Sequence, residues 1–138
     1  MRQAPTPRPR ERFPVDGAFS GFSVDDIDAA HEFYGTTLGL EVEANPMGFL
    51  DIRLPRGGWI LVYSKPNHEP ASFTILNFPV ADVYAVVDNL IARGVQTKIY
   101  SDAEFPSDER GIVCGGGQSP DIAWFRDPAG NVLAVMQA

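Results

Sequence analysis

The sequence predicts an α+β domain: a duplicated βαβββ unit whose mixed sheet curves around a central cavity, with the helices on the outside. Three observations carry this. Ile27, Ala30, His31 and Tyr34 recur at helical spacing in one stretch, and Val83, Val86, Val87, Leu90 and Ile91 form an apolar stripe of the same period in another. Short apolar runs of strand length surround each. The order then repeats: Val24-Asp25-Asp26-Ile27 lies on Val80-Ala81-Asp82-Val83, Gly39 on Gly94, and Arg53-Leu54-Pro55-Arg56-Gly57-Gly58 on Arg126-Asp127-Pro128-Ala129-Gly130-Asn131. A helix covers only one face of the sheet it crosses, so two such units side by side leave faces able to enclose a cavity.

Taken in order, residues 1–14 hold four prolines and four arginines and almost nothing apolar, and read as a disordered or loosely attached tail. Residues 15–138 form one domain of two units, about 17–64 and 73–137. Residues 18–24 are a first strand. Asp25 and Asp26 are N-cap candidates, because a carboxylate there accepts the unpaired N–H groups of the first turn. The helix runs to about Thr37, and Leu38-Gly39-Leu40 leads into a strand through Glu43. Residues 49–54 and 59–64 are strands joined by a Pro-Arg-Gly-Gly turn. After a linker at 65–70, residues 73–80 are a strand, Asp82 caps a helix, and Gly94 closes it as the residue just past the end. Residues 95–100 are expected to be a strand. Residues 101–120 form a long loop with glycines at 111 and 115–117, expected to be a mobile flap.

Composition narrows the function. The net charge is -7, and the arginine-rich tail makes the rest of the chain more acidic still. An acidic body repels phosphate and disfavours nucleic acid as partner, while suiting a cationic ligand. No apolar run reaches the length of a membrane span, and no signal-peptide core is visible. With Cys114 the single cysteine, no disulfide forms within the chain, and a reduced cytoplasmic setting is expected.

The chain closes on Ile122 to Arg126, then Asp127-Pro128-Ala129-Gly130-Asn131, then Val132 to Met136. Proline presets φ, and glycine and asparagine tolerate positive φ, so this is a strand, tight turn and strand. The hairpin resembles the closing motif of the vicinal oxygen chelate superfamily, which groups glyoxalase I, bleomycin resistance proteins and extradiol dioxygenases. Residues 19–34 resemble the superfamily's first strand and helix, and residues 73–95 the start of its second unit. The resemblance spans residues 17 to 137 and implies the duplicated βαβββ fold. It also places the usual metal ligands at Phe19, Leu61, Ile75 and Ala134. None of these side chains has a lone pair to offer Zn, Fe or Mn. A register one residue along gives Ser20 and Thr74, which remain poor ligands. No metal and no cofactor are therefore expected.

Strand parity gives the cavity lining. With those four residues inward, the first unit contributes Phe49, Asp51, Trp59 and Tyr63 beside Phe19 and Leu61. The second contributes Asn77 and Trp124 beside Ile75 and Ala134. Phe22, Val24, Ile60, Val62, Leu76, Phe78, Leu133 and Val135 then face the helices. An aromatic and apolar lining with a few polar groups suits a small molecule. The resemblance implies sequestration of such a molecule, as in bleomycin resistance proteins, by a homodimer. Two other readings stand beside it. One is an enzyme, a lyase, isomerase or glyoxalase- or dioxygenase-like protein, with Asp51 or Tyr63 as acid or base and Asn77 polarising an oxygen. The other is a protein-interaction module with a closed pocket. His31 reads as a helix-surface residue, His68 as a solvated linker residue, and Cys114 as a loop thiol without a catalytic partner.

Overall fold

The computed structural model describes residues 11–138, so the expectation for the tail falls mainly outside the described residues. Its strands are β1 (Ser20–Val24), β2 (Glu41–Ala44), β3 (Leu50–Arg53), β4 (Trp59–Ser64), β5 (Thr74–Val80), β6 (Ile122–Arg126) and β7 (Val132–Gln137). The helices are α1 (Ile27–His31), which continues as a π-helical stretch over Glu32–Thr37, and α2 (Val83–Ala92). Each α-helix starts where an aspartate caps it. Asp26 accepts from the N–H groups of Asp28 and Ala29, and Asp82 from those of Tyr84 and Ala85. Gly94 follows α2 with φ at 85°, a conformation that a side chain disfavours.

The architecture is α+β, with two separate sheets instead of one. The first has strand order β1-β4-β3-β2 and the second β5-β7-β6. In each, the strand before the helix runs parallel to the last strand of its unit, β1 on β4 and β5 on β7, and the remaining pairs are antiparallel. The second sheet lacks a fourth strand because residues 95–100 do not form one. Their polar groups go elsewhere: the Thr97 hydroxyl donates to the Arg110 carbonyl, and the Val95 N–H to that of Leu90. The free edge of β6 is met instead at Ile122, where Val113 exchanges both backbone hydrogen bonds.

The helix-facing residues of both sheets and both helices make one continuous core. Phe22 packs on Tyr34, Tyr34 on Phe33, and Phe33 on Phe125 of the second sheet. The helices therefore sit at the junction of the units, each keeping one exposed side, and the uncovered face of each sheet turns away from this shared core. The expected α+β fold stands, with its mixed sheet divided into two open sheets. Among the described residues, no helix is long and apolar enough to cross a membrane.

Candidate functional site

Alternation along the strands sets up the first open face. Phe22, Val24, Leu50, Ile52, Ile60 and Val62 are buried against the helices. Gly21, Ser23, Asp51, Trp59, Leu61 and Tyr63 take the opposite side, as the register of Gly21 with Leu61 and Leu61 with Asp51 requires. Phe19, half exposed at 52%, stacks on Trp59 with ring centroids 4.0 Å apart and planes 22° from parallel. Phe49 meets Tyr63 edge-on at 6.2 Å. Between these pairs Asp51 accepts a hydrogen bond from the Asn45 side chain at 3.2 Å. The result is a half-exposed aromatic platform with the Asp51 carboxylate between its ring pairs and Glu43 opposite it on β2.

The second open face is built around Trp124, opposite Ala134, which in turn pairs with Asn77. Asn77 is exposed and Ala134 fully buried. The indole N–H of Trp124 donates to the Thr74 hydroxyl at 3.1 Å. Period two fails just here. The register of β5 on β7 shifts between Thr74 and Leu76, so two steps on β5 match one on β7. Thr74 thereby shares the face of Trp124, while Ile75 packs against the core. The inward parity assigned to Ile75 is corrected accordingly.

Sequence reasoning missed two members of this face. Tyr100 lies edge-on to Trp124 at 5.4 Å and Phe105 tilts against it at 5.0 Å. Tyr100 ends the stretch expected to be a strand, and Phe105 comes from the segment expected to be a mobile flap, which is tied down at several points. The Asp108 carboxylate accepts from the N–H groups of Arg110 and Ile112, and Arg110 reaches Asp88 at 3.0 Å. Partial burial pushes the Asp108 carboxyl up, but the N–H groups of Ile112 and Arg110, together with the Arg110 guanidinium, outweigh it and hold it below the usual carboxylate value. Its aromatic residues lie outside any strand, so no periodicity points to them.

The two faces do not meet within one chain. The clefts at Trp124, at Phe78, at Arg126 and at Cys114 each take lining from one face at most. Phe19, Phe49, Asp51, Trp59, Leu61 and Tyr63 stand together on the first sheet; Asn77, Trp124 and Ala134 stand together on the second. The positions that carry metal ligands in related folds do not fit a metal: Phe19 and Leu61 are on the first face, Ala134 on the second, and Ile75 in the core. Among the described residues no group of three His, Cys, Asp or Glu side chains converges.

Behind the site, the turn after β6 locks the units together. Asp127, 4% exposed, accepts from the Tyr34 hydroxyl at 2.7 Å, the Asn131 side chain at 3.0 Å, and the N–H groups of Ala129 and Asn131. Burial pushes the Tyr34 phenol far up, and the Asp127 charge adds to this, so Tyr34 stays a donor. The Asn131 side chain also donates to the Ser23 carbonyl on the free edge of β1. His68 is no solvated linker residue. Its Nδ1 lies 2.7 Å from the Ser23 hydroxyl and its Nε2 3.1 Å from the Ala129 carbonyl. A carbonyl only accepts, so Nε2 carries a proton, and Nδ1 shares a hydrogen bond with the Ser23 hydroxyl, which can donate or accept. His68→Ala is expected to lower stability by about 1 kcal/mol for the lost hydrogen bonds. Urea midpoints of the two proteins check it, and equal midpoints would remove His68 from the clamp between the units.

Residues 22–54 match a family model described as bleomycin resistance protein-like N-terminal. No curated protein sequence matches the chain. Solved structures similar to it include a member of the glyoxalase/bleomycin resistance protein/dioxygenase superfamily from Sphaerobacter thermophilus, at 18% identity and a TM-score of 0.66, covering 91% of this chain and 100% of that one. TnmS3, an antibiotic binding protein from a Streptomyces species, is 24% identical with a TM-score of 0.62, covering 91% and 98%. A glyoxalase family protein from Enterococcus faecalis is 18% identical with a TM-score of 0.63, covering 86% and 94%. At these identities the likeness is one of fold.

Proposed function

We propose that this chain, which carries the vicinal oxygen chelate fold, binds a small, largely apolar or aromatic molecule without a metal, in a cleft closed by a second copy of itself. The observation behind this is the pair of open faces. Each presents aromatic side chains that a lone chain leaves partly bare, and they point away from a shared core. A two-fold axis would lay the first face of one copy against the second face of the other, twice over. Phe19, Trp59 and Tyr63 would then oppose Trp124 and Asn77, and a planar ligand between them would stack on rings from both sides. Asp51 adds a charge that favours a cationic ligand, in keeping with the acidic body. The apolar side chains at the usual metal-ligand positions support binding by packing instead of Lewis-acid chemistry. The antibiotic-binding description of TnmS3 supports sequestration as the use of such a cleft. The setting in keeping with one unpaired cysteine is the cytoplasm.

Sedimentation at micromolar concentration, with and without a planar aromatic cation such as an acridinium dye, tests both parts. The expected result is a dimer whose tryptophan emission is quenched saturably. Trp59→Ala should weaken the dye by about 1–3 kcal/mol, the worth of burying an aromatic surface. Asp51→Asn should weaken the cationic dye more than a neutral planar one. A clean monomer with unsaturable quenching would sink the proposal, and about one transition metal per chain on elemental analysis would sink its metal-free part.

A further inference from the structure

On the side of the shared core, away from both open faces, the units leave an apolar cavity of about 170 Å3. Leu38 and Leu40 wall it from the exit of the first helix, Val86 and Leu90 from α2, and Phe78 and Phe125 from the second sheet. Arg93 stands at its rim and also lines a second cleft, of about 370 Å3, whose other cation is Arg126. A dry apolar cavity of about 150 Å3 already holds benzene. The clefts adjoin at Arg93, and the second by itself falls within the roughly 300–1,000 Å3 of small-molecule sites.

The charges decide the class of occupant. Arg93 donates from Nε to the Asn89 side-chain oxygen at 2.6 Å and from Nη1 to the Thr37 carbonyl at 2.9 Å. Both acceptors are neutral, so they orient the guanidinium without cancelling its charge. Arg126 is exposed, and among the described residues no carboxylate pairs with either arginine. Asp127 borders the same cleft, but four N–H and O–H donors already occupy its oxygens. An acidic chain thus holds two uncompensated guanidinium groups beside one apolar hole.

The geometry points to a second binding site, for a small amphipathic carboxylate with its tail in the apolar cavity and its head between Arg93 and Arg126. A guanidinium fork suits a carboxylate, and the leucine, valine and phenylalanine walls suit a hydrocarbon tail. The apolar cavity takes no residue from either open face, and the proposal stands whether or not those faces bind a ligand.

Calorimetric titration of the full chain with hexanoate, octanoate and octan-1-ol tests it. Octanoate should bind saturably at one per chain, and about fifteenfold more tightly than hexanoate, since each of the two extra buried methylenes is worth about fourfold. Octan-1-ol should be at least about tenfold weaker, for want of a charge to meet the arginines. Val86→Phe, which fills the cavity, should abolish the octanoate heat. Should that variant misfold, Arg126→Gln, on an exposed side chain outside the core, still decides: octanoate should weaken by about fivefold or more. Equal binding of the alcohol and the carboxylate, an unchanged affinity in Arg126→Gln, or no saturable heat from octanoate would each overturn the site.

Discussion

Replacing Asp127 with alanine is expected to destabilise the chain by about 3–5 kcal/mol, the range for removing one partner from a buried charged network. The carboxylate is 4% exposed and receives four hydrogen bonds, two from side chains and two from backbone N–H groups of its own turn. Alanine would leave the Tyr34 hydroxyl, on a residue with no exposed surface, without its acceptor. Unmet buried donors are more costly than the bonds themselves are worth. Loss here also reaches both units, because Tyr34 belongs to the first and Asp127 to the second, and Asn131 ties the same turn to β1. Tyr34→Phe removes one donor and leaves the turn intact, so about 1.5–3 kcal/mol is expected from it. Urea unfolding at a fixed protein concentration measures both, the concentration being held because dimerisation would add to apparent stability. A loss under about 1 kcal/mol for Asp127→Ala would mean that the turn does not hold the units together.

That network shows what a sequence reader sees and does not see. The turn itself was legible, since Asp-Pro-x-Gly-Asn has only a few conformations open to it. So were the helix caps at Asp26 and Asp82 and the face assignments on β1, β3 and β4, where no bulge disturbs the alternation. Trp59 and Trp124 stand on the open faces as parity requires. Contacts across 93 residues, such as Tyr34 with Asp127, leave no local signature. The bulge between Thr74 and Leu76 is equally silent, because Thr74, Ile75 and Leu76 suit a strand in either register. Residues 95–100 read as a strand by composition, yet a strand needs a free edge, and Val113 meets that of β6 first. His68 looked solvated because its partners, Ser23 and Ala129, arrive from elsewhere in the chain. Above all, which faces of the two sheets share a core is a tertiary fact. The repeat predicts two open faces without saying whether they face each other or face apart.

Gly111→Ala should loosen the segment that covers Trp124, at a cost of about 2–5 kcal/mol. Two independent effects make up this figure. Gly111 has φ at 89°, and a side chain in the left-handed region costs about 1–2 kcal/mol. A Cβ there would also sit 2.1 Å from the Thr97 carbonyl oxygen and 2.7 Å from the Lys98 Cα. Both are backbone atoms that cannot swing aside, so the strands of the loop must part, with overpacking worth about 1–3 kcal/mol. The same loop bears Tyr100 and Phe105, whose rings rest on the indole of Trp124. In a Trp59→Phe background the remaining tryptophan reports on that contact alone. Its emission should shift to the red and become more accessible to acrylamide when Gly111 is replaced. Gly116→Ala is the control. Its φ is also positive, at 63°, but a Cβ would meet nothing within 4 Å, so only the conformational part of the loss remains. An unchanged Trp124 emission in Gly111→Ala, with stability intact, would mean that the segment does not depend on this close approach. If Trp124 is instead uncovered, ligand affinity at the second open face should change with it, because the rings that now occupy the indole are the first groups a stacking ligand must displace or join.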